Sequence, residues 1–125
     1  MAATARLVGV ARAAGVPVVY LQMGFAADLS DAGDTESPAW HKELALILMR
    51  QRPELAGTLL IEGTWDWQVV EPLTPQPGDT VIRKTRYDGF TRTRLDAHLK
   101  SLGVRNLLFC GIATNICVES TARHA

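Results

Sequence analysis

The sequence predicts an α/β fold: a three-layer arrangement in which a parallel sheet is covered by helices on both faces. Two observations carry this expectation. Short apolar runs of strand length stand at 16–22, 79–84 and 105–111, and segments of helical apolar periodicity alternate with them. The connections between the runs are also too long for hairpins, and crossovers of about a dozen residues or more join parallel strands.

Taken in order, "TARLVGVARAAG" places Leu7, Val8, Val10, Ala11 and Ala14 at helical spacing and stops at Gly15. "VPVVYLQ" at 16–22 reads as a buried strand. The Gly-, Asp- and Ser-rich stretch "GFAADLSDAGDTESP" reads as a loop or lid rather than a linker between domains. A helix is expected at about 39–52. The following "LAGTLLIEGTWDWQVVEPLTPQPGD" carries three prolines and two tryptophans with weak periodicity, so turns and short pieces are expected there. "DTVIRK" is a strand, "TRTRLDAHLKSLG" a helix stopped at Gly103, "RNLLFCG" a strand, and a last helix starts near Asn115.

Length and composition bound the function. A chain of 125 residues has room for one domain with one core, spanning 1–125. Thirteen Lys and Arg balance thirteen Asp and Glu without a long block of either sign, which argues against nucleic acid as a partner and favours a small-molecule substrate. Two cysteines make no disulfide framework, no signal peptide is visible, and no apolar run approaches the roughly 20 residues of a membrane span. The expected location is cytoplasmic, with no membrane role.

In a parallel sheet, ligands gather at the carboxyl ends of strands, which directs attention to "FCGIATNICVES" at 109–120. If Thr114 caps a new helix, Cys117 lies in its first turn. There the partial positive charge and unsatisfied N–H groups of the helix end can lower a thiol pKa and receive an oxyanion. The alternative is that Cys117 simply packs the helix against the sheet, as buried cysteines commonly do. Cys110, inside the preceding strand, is assigned to the core. Lys84, at the end of "TVIRK", sits at a second strand end on the same rim, where a lysine can keep a thiol ionised or remain a solvated strand terminus. His41, His98 and His124 are expected on helix surfaces and show no metal-ligand spacing, so neither a metal nor a cofactor is expected.

"VIRKTRYDGF" together with "LGVRNLLFCGIATNICVESTARHA" resembles the isochorismatase-like cysteine hydrolases, whose G-[IV]-A-T-x-x-C-V element matches residues 111–118. "SPAWHKELAL", "EGTWDWQVV" and "PQPGDTVIRKTRYDGF" extend the likeness over nearly the whole chain. The resemblance implies a catalytic Asp-Lys-Cys triad with Lys84 and Cys117 as second and third members. It also implies a cis peptide between Ile112 and Ala113, and an oxyanion hole from the N–H groups of Ala113 and Cys117. The implied activity is hydrolysis of a ureido or amide C–N bond in a small acid.

The family's triad aspartate belongs to a D-x-Q strand ahead of the first helix. Asp28, Asp31 and Asp34 all lie after "VPVVYLQ" and do not transfer to that role. The expected sheet therefore lacks its first and last strands, and the chain is expected to be inactive by itself. An apolar slot left by the missing strands would favour association, so a homo-oligomer is an expected arrangement. Met23 and Phe25 stand where relatives carry a polar residue and an indole, and Thr85 and Asp88 replace the usual proline and small residue. Tyr87, Phe25 and Met23 are candidate substrate-binding residues; Trp40, Trp65 and Trp67 are assigned to core or lid. Two further readings stay open: a non-catalytic binding remnant or partner protein of the same fold, and a flavodoxin-like binding domain, for which no phosphate-cradling Gly-rich loop is present.

Overall fold

The computed structural model describes all 125 residues. The chain forms two compact units, one of Met1–Gln22 with Val69–Ala125 and the other of Met23–Gln68.

The first unit opens with helix α1 (Ala2–Ala13). Of its apolar residues Val8 is buried, whereas Leu7 and Val10 are exposed. The helix is tied down mainly through Arg12, which forms a two-pronged pair with Asp79, its Nε 3.2 Å from Oδ1, and whose Nη2 donates to the Tyr20 hydroxyl at 3.0 Å. That hydrogen-bonded guanidinium holds the Asp79 carboxyl below its ordinary range, and the Gln76 N–H adds a further donor at 2.8 Å. Strand β1 (Val19–Met23) pairs with β2 (Thr80–Lys84). In β2 the two-residue strand period turns Ile82 and Lys84 inward, each 3% exposed, and leaves Val81 outward. Helix α4 (Leu95–Ser101) follows, starting four residues later than "TRTRLDAHLKSLG" suggests. It buries Leu95 and stops before Gly103, whose φ of 63° a side chain would oppose.

The second unit is built on Phe25, Ala32, Leu46, Met49 and Ile61, all buried together. Phe25 and Ile61 form a parallel bridge, with Phe25 N–H donating to Leu60 O at 2.8 Å and Glu62 N–H to Phe25 O at 2.9 Å. The expected loop after β1 is a loop. Its aspartates accept backbone N–H groups: Asp28 from Ser30, Asp31 from Ala26 and Asp34 from Glu36.

The single helix expected at 39–52 is two helices, α2 (Pro38–Lys42) and α3 (Leu44–Gln51). Glu43 breaks them by adopting an extended ψ of 114°. The break sets Ala45, Leu46 and Met49 into the core and leaves Leu44 exposed. Residues 52–79 are turns and two short 3₁₀ pieces, as their prolines predict.

One strand expectation fails. "RNLLFCG" forms no strand; residues 104–111 run without assigned secondary structure and outside the sheet. No neighbouring strand pairs with their backbone, and without a lateral partner an apolar run cannot become a strand. Leu108 and Ile112 are 84% and 81% exposed as a result, and Cys110, expected in the core, is exposed as well.

Candidate active site

The residues singled out by the rim argument sit in the first unit, on β2 and on the turn leading into α5 (Glu119–His124). Lys84 ends β2 on its buried face, so it is not the solvated strand terminus that its residue type alone suggests. Its ammonium donates to the carbonyls of Arg86 at 3.0 Å and Tyr87 at 3.1 Å, which curls the following loop back around the charge. A lysine held this way keeps hydrogen-bond partners while buried, the condition for a charged group to persist inside a fold. Thr85 joins the same curl by accepting from Arg86 Nη1 at 2.7 Å. Tyr87 thus contributes a backbone acceptor, and its side chain is half-buried.

The peptide between Ile112 and Ala113 is cis, and the chain then enters a π-helical turn over Thr114–Val118 that leads into α5. Thr114 is not the cap: Ala113 occupies that position in extended conformation and Thr114 is the first residue of the turn. The Ala113 carbonyl accepts from Ile116 and Val118 at 3.1 and 3.3 Å. Cys117 is therefore carried within a wide turn at the head of α5 rather than in a capped α-helical first turn. It is half-buried and carries a free thiol. Wide π-type turns of this kind are frequent at functional sites.

Two residues that the sequence reasoning passed over connect these halves. Thr121, 1% exposed, donates from its hydroxyl to the Cys117 carbonyl at 2.7 Å and accepts the Gly89 N–H at 2.9 Å. The first of these bonds was readable, because a threonine four residues after another can back-bond to its carbonyl in a helix. The second, across 32 positions of sequence, left no local trace.

Asp88 is engaged by three donors. They are the Phe90 N–H at 2.9 Å, the Thr91 hydroxyl at 2.7 Å and His124 Nδ1 at 2.6 Å. Burial opposes its ionisation, yet the bonds from Phe90, His124 and Thr91 hold the carboxyl below its ordinary range. His124 also tilts against the Phe90 ring at 5.0 Å. His98 is not a plain surface residue, since its Nε2 is buried without a hydrogen-bond partner. His41 is exposed and bonds the Thr35 carbonyl at 2.7 Å.

The remaining candidates belong to the second unit. Phe25 is fully buried in that unit's core and presents no face to a ligand, so its reading as a pocket wall is corrected to packing. Met23 packs partly buried against the same cluster. Trp65 is 84% exposed and belongs to no core. Trp40 lies under the Arg50 guanidinium at 4.3 Å, and Trp67 presses on Gly24 so closely that a Cβ there would meet the indole at 2.2 Å.

A concavity of about 460 Å³ is lined by Phe90, Leu99, Val104, Leu107 and His124 among others, and includes neither Lys84 nor Cys117. It opens where the unpaired 104–107 segment leaves apolar side chains uncovered, so its size reflects that exposed edge rather than the chemistry of the site.

No three His, Cys, Asp or Glu side chains cluster to hold a metal ion, and no helix is long and apolar enough to cross a membrane. Comparison with known proteins gives a consistent picture. The isochorismatase domain model matches residues 1–125. A ureidoacrylate amidohydrolase RutB of Agrobacterium fabrum is 56% identical over 115 residues, covering 92% of this chain and 50% of that protein. The RutB of Pseudomonas syringae pv. syringae is 57% identical over 113 residues, covering 90% and 46%. Among solved structures, an isochorismatase family protein from Desulfovibrio vulgaris superposes with a TM-score of 0.78 at 30% identity, covering 97% of this chain and 57% of that one. A cysteine hydrolase from Pseudomonas syringae pv. phaseolicola gives 0.73 at 34% identity, covering 94% and 49%. The chain thus spans about half the length of the curated relatives it matches.

Proposed function

Because the chain belongs to the isochorismatase domain family, we propose that it is the Lys- and Cys-bearing part of a cysteine amidohydrolase that splits the ureido or amide C–N bond of a small, ureidoacrylate-like acid. The observation that supports this reading is that one unit carries both a buried, carbonyl-held Lys84 and a free thiol at Cys117, within the turn over Thr114–Val118. The names of relatives more than half identical over nine-tenths of the chain support the substrate class. The match of one domain model to all of 1–125 supports reading both units as parts of one domain.

In this reading the Cys117 thiolate attacks the substrate carbonyl, and the oxyanion is received by the N–H groups of Ala113 and Cys117. As the tetrahedral species collapses, the C–N bond breaks, the amine leaves with a proton, and a thioester-type acyl group remains on sulfur. Water then adds to that carbonyl, the carbon–sulfur bond breaks, and the thiolate is regenerated. Lys84 supplies the positive charge that favours the ionised thiol. Tyr87 is a substrate-binding residue, and no cofactor is needed for these steps.

The family's aspartate would take the thiol proton and return it to the leaving nitrogen, a role that none of Asp28, Asp31 and Asp34 fills. The 125-residue chain alone is therefore expected to hydrolyse ureidoacrylate at least about 10⁴-fold more slowly than a version extended to its relatives' length, since triad members act as a unit. In the extended version Cys117→Ala should abolish turnover and Cys110→Ala should retain it. Ordinary turnover by the short chain, or by extended Cys117→Ala, overturns the reading.

A further inference from the structure

We infer that Thr121 is a positioning residue for this site: its hydroxyl locks the backbone at Cys117 to the loop that holds Lys84, and so fixes where the thiol stands relative to the ammonium. The inference rests on Cys117 being the nucleophile. Three contacts form the connection. Lys84 Nζ is held by the carbonyls of Arg86 and Tyr87 at 3.0 and 3.1 Å. Two residues further along that loop, the Gly89 N–H donates to Thr121 Oγ1 at 2.9 Å, and the same oxygen donates its proton to the Cys117 carbonyl at 2.7 Å.

The hydroxyl is thus used both as acceptor and as donor, a combination that neither a methyl nor an amine reproduces. Packing leaves the loop no slack against it. A Cβ added at Gly89 would fall 2.5 Å from Leu21 Cδ1 and 3.0 Å from Thr121 Cγ2, so the backbone of Gly89 lies directly on the threonine. With Thr121 1% exposed, water does not replace either bond if the hydroxyl is removed. The loop carrying the lysine's acceptors and the turn carrying the thiol would then move independently. A displacement of about 1 Å at a reacting group is enough to change rates strongly.

The test uses the 125-residue chain and iodoacetamide, following alkylation of Cys117 against pH by peptide mass spectrometry with the exposed Cys110 as internal reference. Thr121→Val keeps the shape but loses the hydroxyl; Thr121→Ser keeps the hydroxyl and loses the methyl. For Thr121→Val the Cys117 profile should shift to higher pH, with roughly tenfold slower alkylation near neutrality, because a thiol reacts through its thiolate. Thr121→Ser should stay within about twofold of the parent at each pH, since its thiolate fraction is preserved. Thr121→Ala, which adds no bulk, provides a second hydroxyl-free comparison and should behave as Thr121→Val.

If the valine and alanine variants lower the thermal midpoint but leave the Cys117 profile unchanged, Thr121 is packing only and the inference falls. If Cys117→Ala retains turnover in a version extended to the relatives' length, the nucleophile reading itself fails. A fast Cys117 that is indifferent to Thr121→Val counts against Thr121 alone.

Discussion

Two apolar runs of similar appearance, "TVIRK" and "RNLLFCG", meet opposite fates in the same unit. The first is a strand whose alternate residues Ile82 and Lys84 are buried; the second is an unpaired segment with Leu108 84% exposed. The difference lies in what stands beside each. β2 is paired with β1, and its entry is fixed by the Arg12–Asp79 pair. Residues 104–111 have no strand beside them. A strand is a property of a pair, so periodicity proposes it and a neighbour decides it. The functional consequence follows the same division. The buried Lys84 is held on a strand that has a partner, and the exposed Cys110 lies in a segment that has none.

The largest effect separating the two regions should be on stability. Ile82→Ala removes a side chain buried within a paired strand and should cost about 2–5 kcal/mol, whereas Leu108→Ala should change stability by less than about 0.5 kcal/mol. Denaturant midpoints of the two variants, at unchanged slope, check this. Equal losses would mean that 104–111 is packed in solution.

A smaller effect concerns the charge at the end of β2. Lys84→Met retains most of the apolar stem and removes the ammonium, so under the proposed function Cys117 should alkylate several-fold more slowly at neutral pH, while Cys110 should be unaffected. Iodoacetamide kinetics read both thiols in one sample. A parallel slowing of the two would point to general unfolding instead of a local electrostatic link.

The smallest effect should come from the entry to β2. The Asp79 carboxyl is held low by its hydrogen bond from Arg12. Its folded value lies below its unfolded one, so its contribution is present at neutral pH and disappears as the pH falls below about 4 and through the folded value. Asp79→Asn should lower the thermal midpoint by roughly 4 °C at pH 7 and by much less near pH 3. Melting curves at the two pH values distinguish this from a pH-independent packing defect.

Much of this was legible in the sequence for physical reasons that can be named. α1, β2 and the turn-rich stretch at 55–79 follow from helical spacing, strand alternation and proline and form close to their expected limits, while β1 begins three residues later than expected. The Ile112–Ala113 cis peptide was implied by the G-I-A-T element and is present. What escaped depends on distant partners. Glu43 breaks a helix that its periodicity would continue, and Phe25 goes into a core set by Leu46, Met49 and Ile61. Thr121 meets a glycine 32 positions away. The burial of Lys84 lies between the two cases. The two-residue period puts it on the face of Ile82, and only the curled loop at 85–87 explains how a charge is kept there.

The central claim is that Cys117, and not the equally free Cys110, forms the covalent intermediate, and acid quenching during turnover tests it most directly. A version of the chain extended to its relatives' length would be mixed with ureidoacrylate, quenched within the first turnovers, digested and weighed peptide by peptide. The account predicts an acyl mass increment on the peptide carrying Cys117, absent from the peptide carrying Cys110 and lost in Cys117→Ala. An increment on Cys110, or turnover with no increment on either thiol and no effect of Cys117→Ala, would contradict it.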